Sequence, residues 1–340
     1  MAQRFVLVVA GAIGCFIGGK LALGGAEVVF VARGERAAAL RTHGLGLADL
    51  DGTEAVLRPA SLTVVETPAE AAGPAGTLVL LCTKSGATAE AATAIGAAFP
   101  TGTPVLSLQN GIDNPARIAA AAPHLVALAG MVPFNVTLDA GPDGRLLVRR
   151  TTSGDLHAAD HAATRTALPA FAAAGLPLTL VADMAAVQWG KLLLNLNNPV
   201  NALSGLPLRD ELMDRAYRRV LAALQDEALA AMKTAGIRPA KVGAAPPALI
   251  PTILRLPTFL FFRIAASMLT IGPTARSSMA DDLAAGRPTE IDDLCGAVVR
   301  LAAGHGRAAP LNAAMVRLIE AAGPGTRLSG ANLVKALGMA

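Results

Sequence analysis

Trp189-Gly190-Lys191-Leu192-Leu193-Leu194-Asn195 places one lysine in an otherwise apolar helical run, with an amide one turn further on. Desolvating an ammonium is costly unless it is paired, and burial moves its pKa toward the range in which it exchanges protons. A partner is on offer downstream. Ser277-Ser278-Met279-Ala280-Asp281-Asp282 is followed by Gly286-Arg287-Pro288-Thr289-Glu290-Ile291-Asp292, and Glu290 lies twelve positions after Ser278. Three helical turns and a short loop can fold that separation back on itself. Lysine is also rationed: Lys20, Lys84, Lys191, Lys233, Lys241 and Lys335 are outnumbered by arginine. A guanidinium practically never loses a proton, so a lysine in an apolar context where arginine is the default points to proton transfer. The competing reading is a lysine snorkelling at a helix end.

Around this pair the chain must build a framework. At 340 residues two domains are expected. With 53% hydrophobic and 16% charged residues it reads as a well-buried globular protein. Met1-Ala2-Gln3-Arg4 runs straight into a short apolar strand, without the pattern of a secretory signal. Phe259 to Ile271 is interrupted by Arg263 and too short to span a bilayer, so a core or interface helix is expected there. A cytoplasmic protein with no membrane partner follows as the expectation. Cys15, Cys82 and Cys295 are odd in number and widely spaced, which fits reduced thiols better than a disulfide or metal site. His157 and His161 flank Asp160 without a third ligand at sensible spacing, so no metal is expected. The net charge of +4 is scattered, with its densest cluster at Arg215, Arg218 and Arg219, and only 3% of residues are aromatic. A nucleic-acid binder would show a basic stripe with stacking platforms.

The N-terminal half alternates strand and helix. Phe5 to Val9 is a strand, Ala10-Gly11-Ala12-Ile13-Gly14 a glycine turn leading into a helix to about Leu23, and Val28 to Val31 a second strand. Asp51-Gly52 marks a hairpin. Leu78 to Leu81 ends at Thr83-Lys84, and Pro104 to Leu108 at Gln109-Asn110-Gly111. Further strands are expected at Val126 to Met131, Leu146 to Arg149 and Leu178 to Val181. Ligands on open parallel sheets gather beyond the carboxyl ends of strands, which aims Lys84 and Asn110 at one crevice. After Asp183 the pattern is helical: Met184 to Leu203, Arg209 to Ala235, a proline-broken stretch from Pro239 to Pro257, then helices near Phe259, Asp281, Ile291 and Leu311. The switch predicts an α/β, Rossmann-like dinucleotide-binding domain over 1–182 and an all-helical substrate and catalytic domain over 183–340.

A dinucleotide fingerprint reads G-x-G-x-x-G. Here Val9-Ala10-Gly11-Ala12-Ile13-Gly14 keeps the second and third glycines, Gly11 for close backbone approach to a pyrophosphate and Gly14 for helix–strand packing, and has Val9 in place of the first. After the second strand, Val31-Ala32-Arg33-Gly34-Glu35-Arg36 lacks the acid that grips a ribose 2′-hydroxyl. Arg33, assisted by Arg36, would accommodate a 2′-phosphate, which predicts NADPH as cofactor. The alternative is that Arg33 and Arg36 only start a solvated helix.

With the glycine turn, Arg33, Lys84, Gln109-Asn110-Gly111, Trp189-Gly190-Lys191 with Asn195, and the Ser-Ser-Met to Thr-Glu-Ile-Asp stretch in place, the chain resembles the ketopantoate reductase (2-dehydropantoate 2-reductase) family over nearly its whole length. The resemblance implies NADPH-dependent reduction of ketopantoate to pantoate in pantothenate synthesis. It implies Lys191 as general acid with Glu290 in the site contacting cofactor, Asn110 near nicotinamide and substrate, Lys84 near the cofactor, and Asn195 and Ser278 on the substrate. The dinucleotide would rest on Ala10, Gly11, Ala12, Ile13 and Gly14. The second substrate asparagine of the family is expected eight residues after the lysine, where this chain has Pro199. On a continuous helix Asn198 falls within about 20° and Asn195 within about 40° of the Lys191 face, which makes Asn198 the substitute. Pro199 disfavours helical geometry at Asn198, and a kink there could turn Asn201 inward instead.

Two alternatives stay open at this level. The altered Asn197-Asn198-Pro199-Val200-Asn201 segment allows a reductase of another small 2-oxo acid, and Val9 allows a cofactor-binding regulator without turnover. Against the regulator stands the joint retention of Lys191, Asn195, Ser278 and Glu290. The partner expected is a small 2-oxo acid, and the assembly to test is a homodimer.

Overall fold

The structure, a computed structural model, describes residues 3–8, 11–141, 143–243, 245–264 and 275–339. The chain divides into two compact units, Met1–Met184 and Ala185–Ala340. Among the described residues the first carries an eight-stranded sheet whose spatial order is Thr63–Val65, Glu27–Val31, Arg4–Val8, Leu78–Leu81, Pro104–Ser107, Val126–Met131, Leu156–Ala159 and Leu178–Val181. The first six strands in that order are parallel, the Leu156–Ala159 strand runs against its Val126–Met131 neighbour, and the last pairs parallel with it. Three of these strands are a refinement on the sequence pattern, since Thr63–Val65, Leu156–Ala159 and, in the second sheet, Val136–Ala140 are not foreseen by it.

Alternation along the central strands explains the layers. Val6, Val8, Val29, Val31, Val79, Leu81 and Val105 face one side, against Ala92, Ile95 and Phe99 of helix Thr88–Ala98 and its neighbour, and Ile118 and Ala122 of Asn114–Ala121 and its neighbour. Phe5, Leu7, Val28, Phe30, Leu78, Leu80 and Leu106 face the other, against Cys15, Phe16, Ile17 and Leu21 of helix Ala12–Leu23. A parallel sheet buried on both faces needs an apolar residue at every position, which is what these short runs supply.

Helix Ala12–Leu23 is itself covered twice. A second sheet, ordered Glu54–Leu57, Leu45–Ala48, Leu146–Arg150 and Val136–Ala140, packs on it from the other side. The hairpin joining the first two strands turns at Asp51-Gly52, with Gly52 at φ 82°. An all-round apolar helix is the expected consequence of this sandwich. Backbone and side chains approach closely at Gly18 and Gly19: a Cβ at Gly18 would sit 2.6 Å from Phe30 and 2.7 Å from Leu7, and one at Gly19 would sit 2.6 Å from Leu47.

Among the described residues the second unit contains helices and no strands. The segment expected as one helix from Arg209 to Ala235 is two, Leu208–Met213 and Arg215–Thr234, because Asp214 leaves the helical path and caps the second by accepting from Ala216 N at 2.7 Å. The long helix contacts Ile250–Arg255, Ala297–Gly304, Pro310–Ala321 and Gly330–Ala336. Its Arg218 is fully buried, donating to the carbonyls of Leu254 (3.1 Å) and Leu256 (3.0 Å) and to Thr258 Oγ1 (2.9 Å) over the Phe261 ring. Of the Phe259 to Ile271 segment, helix Thr258–Ile264 is described and the rest lies outside the described residues. Among the described residues no helix is long and apolar enough to cross a membrane.

The packing at Gly18 sets two opposite effects against each other. Alanine is the better helix former by about 1 kcal/mol, whereas forcing a methyl into this contact costs about 1–3 kcal/mol. Chemical denaturation of Gly18→Ala should therefore show net destabilisation, and an unchanged or raised midpoint would mean that Phe30 and Leu7 yield freely.

Candidate active site

Sheet register places four of the expected residues along one edge. Val8 pairs with Val31 on one side and Leu81 on the other, and Leu81 pairs with Ser107, so four parallel strands end level. Gly11, Arg33, Lys84 and Asn110 each follow within three residues of those ends, in the spatial order Arg33, Gly11, Lys84, Asn110. Gly11 is the N-cap of helix Ala12–Leu23 with extended backbone, φ −72° and ψ −172°. Among the described residues, a Cβ there would meet nothing nearer than the Cys82 carbonyl at 3.9 Å. What glycine leaves there is space before a helix N-terminus, the setting for a phosphate. Ala12 and Ile13 open the helix and Gly14 is buried one turn in; Val9 and Ala10 lie outside the described residues. Arg33 is exposed at the head of helix Gly34–His43, its Nε 3.4 Å from the Glu66 carbonyl and its guanidinium 3.8 Å from Glu90. An exposed pair at that distance is weak and leaves the guanidinium available to a stronger anion.

Beneath this edge runs a polar network whose members Ser85, Thr88, Ser107 and Asn114 carry no signal in the motifs above. Gln109 Nε2 donates to Thr83 Oγ1 and Thr88 Oγ1, both at 2.7 Å, and Gln109 Oε1 accepts from Ser107 Oγ at 2.9 Å. Thr88 Oγ1 donates to Asn114 Oδ1 at 2.9 Å. Asn114 Nδ2 donates to the Asn110 carbonyl at 2.6 Å, which also accepts from Ser85 Oγ at 2.7 Å. The backbone of Asn110 and the turn holding Lys84 are thus fixed by buried side chains. Short polar residues clustered just after two apolar strands are the signal that could have exposed them.

In the second unit, Lys191 sits on helix Met184–Asn195, partly buried among Trp189, Leu192 and Leu193. Gly190 before it has a specific cause: a Cβ there would overlap the Ala240 carbonyl, and Ala240 N donates to the Ala186 carbonyl at 2.8 Å. Burial pushes the Lys191 ammonium down from its ordinary value to about 8, and the Glu290 carboxylate opposes that shift. Glu290 is brought back by a shorter path than three turns. Helix Ser278–Ala284 ends at Gly286 (φ 63°), and Arg287 closes the loop onto Asp282 through Nε at 2.9 Å. Beyond Glu290 the chain makes a π-helical turn, Asp292–Gly296, where a Cβ at Gly296 would overlap the Asp292 carboxylate. Such turns concentrate at functional sites.

The helix expected from Met184 to Leu203 is interrupted at Leu196 and restarts as Asn197–Ser204. Pro199 consequently falls in the first turn, where a missing N–H leaves no bond unmade, and Asn198 is helical after all. The break also cancels the angular argument that put Asn198 and Lys191 on one helix face. Asn198 is tied instead to the serine turn, its carbonyl accepting from Ser277 Oγ at 3.2 Å. Asn201 is fully buried and committed to structural bonds, so the kink that would have turned it toward substrate does not occur. Ser277 caps the helix by accepting from Ala280 N at 3.1 Å, leaving Ser278 exposed beside it; Asn195 ends the lysine helix, partly buried. His161, weighed above as a ligand, caps helix Ala162–Ala173 by accepting from Ala163 N at 3.2 Å, and Asp160 pairs with Arg165.

An α/β unit with strand order 3-2-1-4-5-6 in its parallel part has the architecture of a dinucleotide-binding domain, and it is followed by a unit whose described residues are helical and include a partly buried lysine. The family profile "Ketopantoate reductase PanE/ApbA" matches residues 6–162, and its C-terminal companion matches 183–323. The chain belongs to this ketopantoate reductase family, and is an oxidoreductase. It is 28% identical over 331 residues to the 2-dehydropantoate 2-reductase of Halobacterium salinarum, covering 94% of this chain and 99% of that one. To the 2-dehydropantoate 2-reductase of Caulobacter vibrioides it is 30% identical over 222 residues, 65% of this chain and 68% of the other. The crystal structure of a PanE/ApbA family ketopantoate reductase from Ralstonia eutropha JMP134 superposes with a TM-score of 0.77 at 28% identity, covering 93% and 97% of the two chains. Membership sets aside the regulator alternative that Val9 raised.

The network under Asn110 is open to a direct test. Thr88→Val keeps the shape but removes the hydroxyl that Gln109 donates to and Asn114 accepts from, at a cost of about 1–3 kcal/mol for the stranded buried groups. Urea denaturation should show that loss, and a change below about 0.5 kcal/mol would mean that the network rearranges without it.

Proposed function

We propose that the protein reduces a small 2-oxo acid, 2-dehydropantoate foremost, to the 2-hydroxy acid with NADPH, in pantothenate synthesis. The observation that carries this reading is the Lys191 ammonium, lowered to about 8 by burial with Glu290 in electrostatic reach. A group with that pKa is charged enough near neutrality to draw electrons toward a carbonyl oxygen and acidic enough to give up its proton. The names of the curated relatives support the substrate.

The residues present fit a dinucleotide, as the open space at the Gly11 N-cap indicates. Gly11, Ala12, Ile13 and Gly14 would hold the pyrophosphate, with Ala10 beside them; Arg33 would hold a 2′-phosphate, and Lys84 and Asn110 the remaining cofactor edge. When bound, the dinucleotide supplies the hydride that adds to the carbonyl carbon. Lys191 stabilises the charge that builds on the carbonyl oxygen and delivers its proton there. Asn195, Asn198 and Ser278 hold and orient the substrate's polar groups, and Glu290, a further contact for the cofactor, keeps the ammonium protonated. A different 2-oxo acid is the second reading, favoured by the helix restart at Asn197 and the structural use of Asn201. NADPH oxidation across a panel of 2-oxo acids separates the two.

Lys191→Ala should lower kcat by about two to four orders of magnitude, with NADPH binding close to wild type. Lys191→Arg keeps the charge without a transferable proton, and near-normal turnover in it would sink the assignment. Because the lysine must be protonated to act, kcat should fall as pH rises through about 8. Glu290→Gln removes the charge that holds this value up, so the falling limb should move to lower pH; a limb that stays put or moves higher assigns it to another group.

Arg33→Ala should weaken NADPH by about one to two decades in Kd and leave NADH nearly unchanged. Equal losses for both, measured by calorimetry, would make Arg33 a purely structural residue.

A further inference from the structure

Behind the serine turn lies a buried acid that the proton chemistry does not use. Glu211, on helix Leu208–Met213, is fully enclosed. Its Oε2 accepts from Asn201 Nδ2 at 2.7 Å, and the same nitrogen donates to the Leu206 carbonyl at 3.0 Å. Asn201 Oδ1 accepts from Ser277 N at 2.9 Å, and Ser277 Oγ donates to the Asn198 carbonyl at 3.2 Å. One asparagine therefore connects the acid to the turn that presents Ser278 and to the segment that presents Asn198.

The protonation state follows from the neighbours. Glu211 Oε1 is buried without a hydrogen-bond partner, and so is Asn197 Oδ1, although the Asn197 side chain lies against the carboxyl group. No lysine or arginine pairs with Glu211 among the described residues. Helix Asn197–Ser204 brings no charged side chain. From helix Arg215–Thr234 comes Tyr217, whose phenol feels both Glu211 and Asp214 and donates to the Leu328 carbonyl at 2.7 Å, while Asp214 is engaged as that helix's cap. At the serine turn Arg276 is paired with Asp281 at 3.9 Å. An ionised carboxylate would leave a buried charge with no lysine or arginine beside it among the described residues, and Oε1 without a donor. A neutral acid turns Oε1 into a donor, for which the equally unmatched Asn197 Oδ1 is the candidate acceptor. Burial acts in the same sense and outweighs the Asn201 and Asn197 side chains, which favour the charged form, pushing the Glu211 carboxyl up to about 8.

We propose that Glu211 is a positioning residue, held as the neutral acid, that brackets Asn197 and Asn201 and thereby sets Asn198 and Ser278 in the geometry that receives the substrate. The proposal rests on the reading of Asn198 and Ser278 as substrate ligands. Its mechanism is indirect: the acid touches no reacting atom, so its loss acts on substrate affinity before it acts on chemistry.

The test compares wild type, Glu211→Gln and Glu211→Ala in steady-state NADPH oxidation with 2-dehydropantoate. Glutamine reproduces the neutral acid's one donor edge and one acceptor edge, so its KM should stay within about twofold of wild type at about pH 7, while alanine raises KM about tenfold. As pH rises toward about 9.5, wild-type KM should climb about tenfold as Glu211 ionises, and the glutamine variant's should not. The fall in kcat from Lys191 should be common to both. A KM for Glu211→Gln as poor as for alanine, or coincident KM profiles for wild type and Glu211→Gln, overturns the proposal. Difference infrared spectroscopy of the protein alone supplies a readout independent of turnover and of whether the alanine variant folds. A protonated-carboxyl band present in wild type at about pH 7, lost by about pH 10 and missing from Glu211→Gln, supports the proposal, and its absence in wild type overturns it. If that band behaves as expected while wild type turns over no 2-oxo acid, it is the functional reading that fails.

Discussion

A parallel sheet can leave neither face in water, and most of the first unit follows from that constraint. Burying Val6, Val8, Val29 and Val31 on one side and Phe5, Leu7, Val28 and Phe30 on the other allows only one register, since a slip of one residue would exchange the two sets. That register is what brings Val8, Val31, Leu81 and Ser107 level. The edge proposed for the cofactor is therefore a by-product of core packing: Gly11, Arg33, Lys84 and Asn110 need no contact with one another to be collected there. The buried Gln109–Thr88–Asn114 network then removes the remaining freedom from the loop backbone.

The helical unit solves a different problem, keeping a cation in a place that disfavours it. Desolvation lowers the affinity of Lys191 for its proton, and Glu290 restores part of it. Neither influence alone leaves a group that can both attract a developing charge and release a proton near neutrality. The geometry behind the balance is costly in sequence terms. It takes Gly190 to admit the Ala240 backbone, Gly286 to reverse the chain, and Gly296 to make room for a π-turn.

Much of this was legible from residue types. Apolar runs of four or five with glycine turns located the central strands, and the lone lysine in an apolar helix marked the group whose pKa burial lowers, because both depend on local composition. What escaped depends on partners remote in sequence. Leu156–Ala159 is a strand because Met131 and Leu178 lie alongside it. The break at Leu196 moves Pro199 into a first turn, and no periodicity argument along a single continuous helix could anticipate that Asn198 would be located by Ser277 instead of by Lys191. The close packing at Gly18 went unforeseen for the same reason, since the ring of Phe30 that meets it is contributed by the next strand.

The double coverage of helix Ala12–Leu23 has a thermodynamic corollary. A helix that serves as the shared wall of two sheets cannot fray or tilt without opening both, so its amides belong with the slowest-exchanging set of the unit, open only through its cooperative unfolding. An anion held at Gly11, as proposed, would meet a helix that the two sheets have already ordered, so the conformational entropy of that helix has been spent during folding.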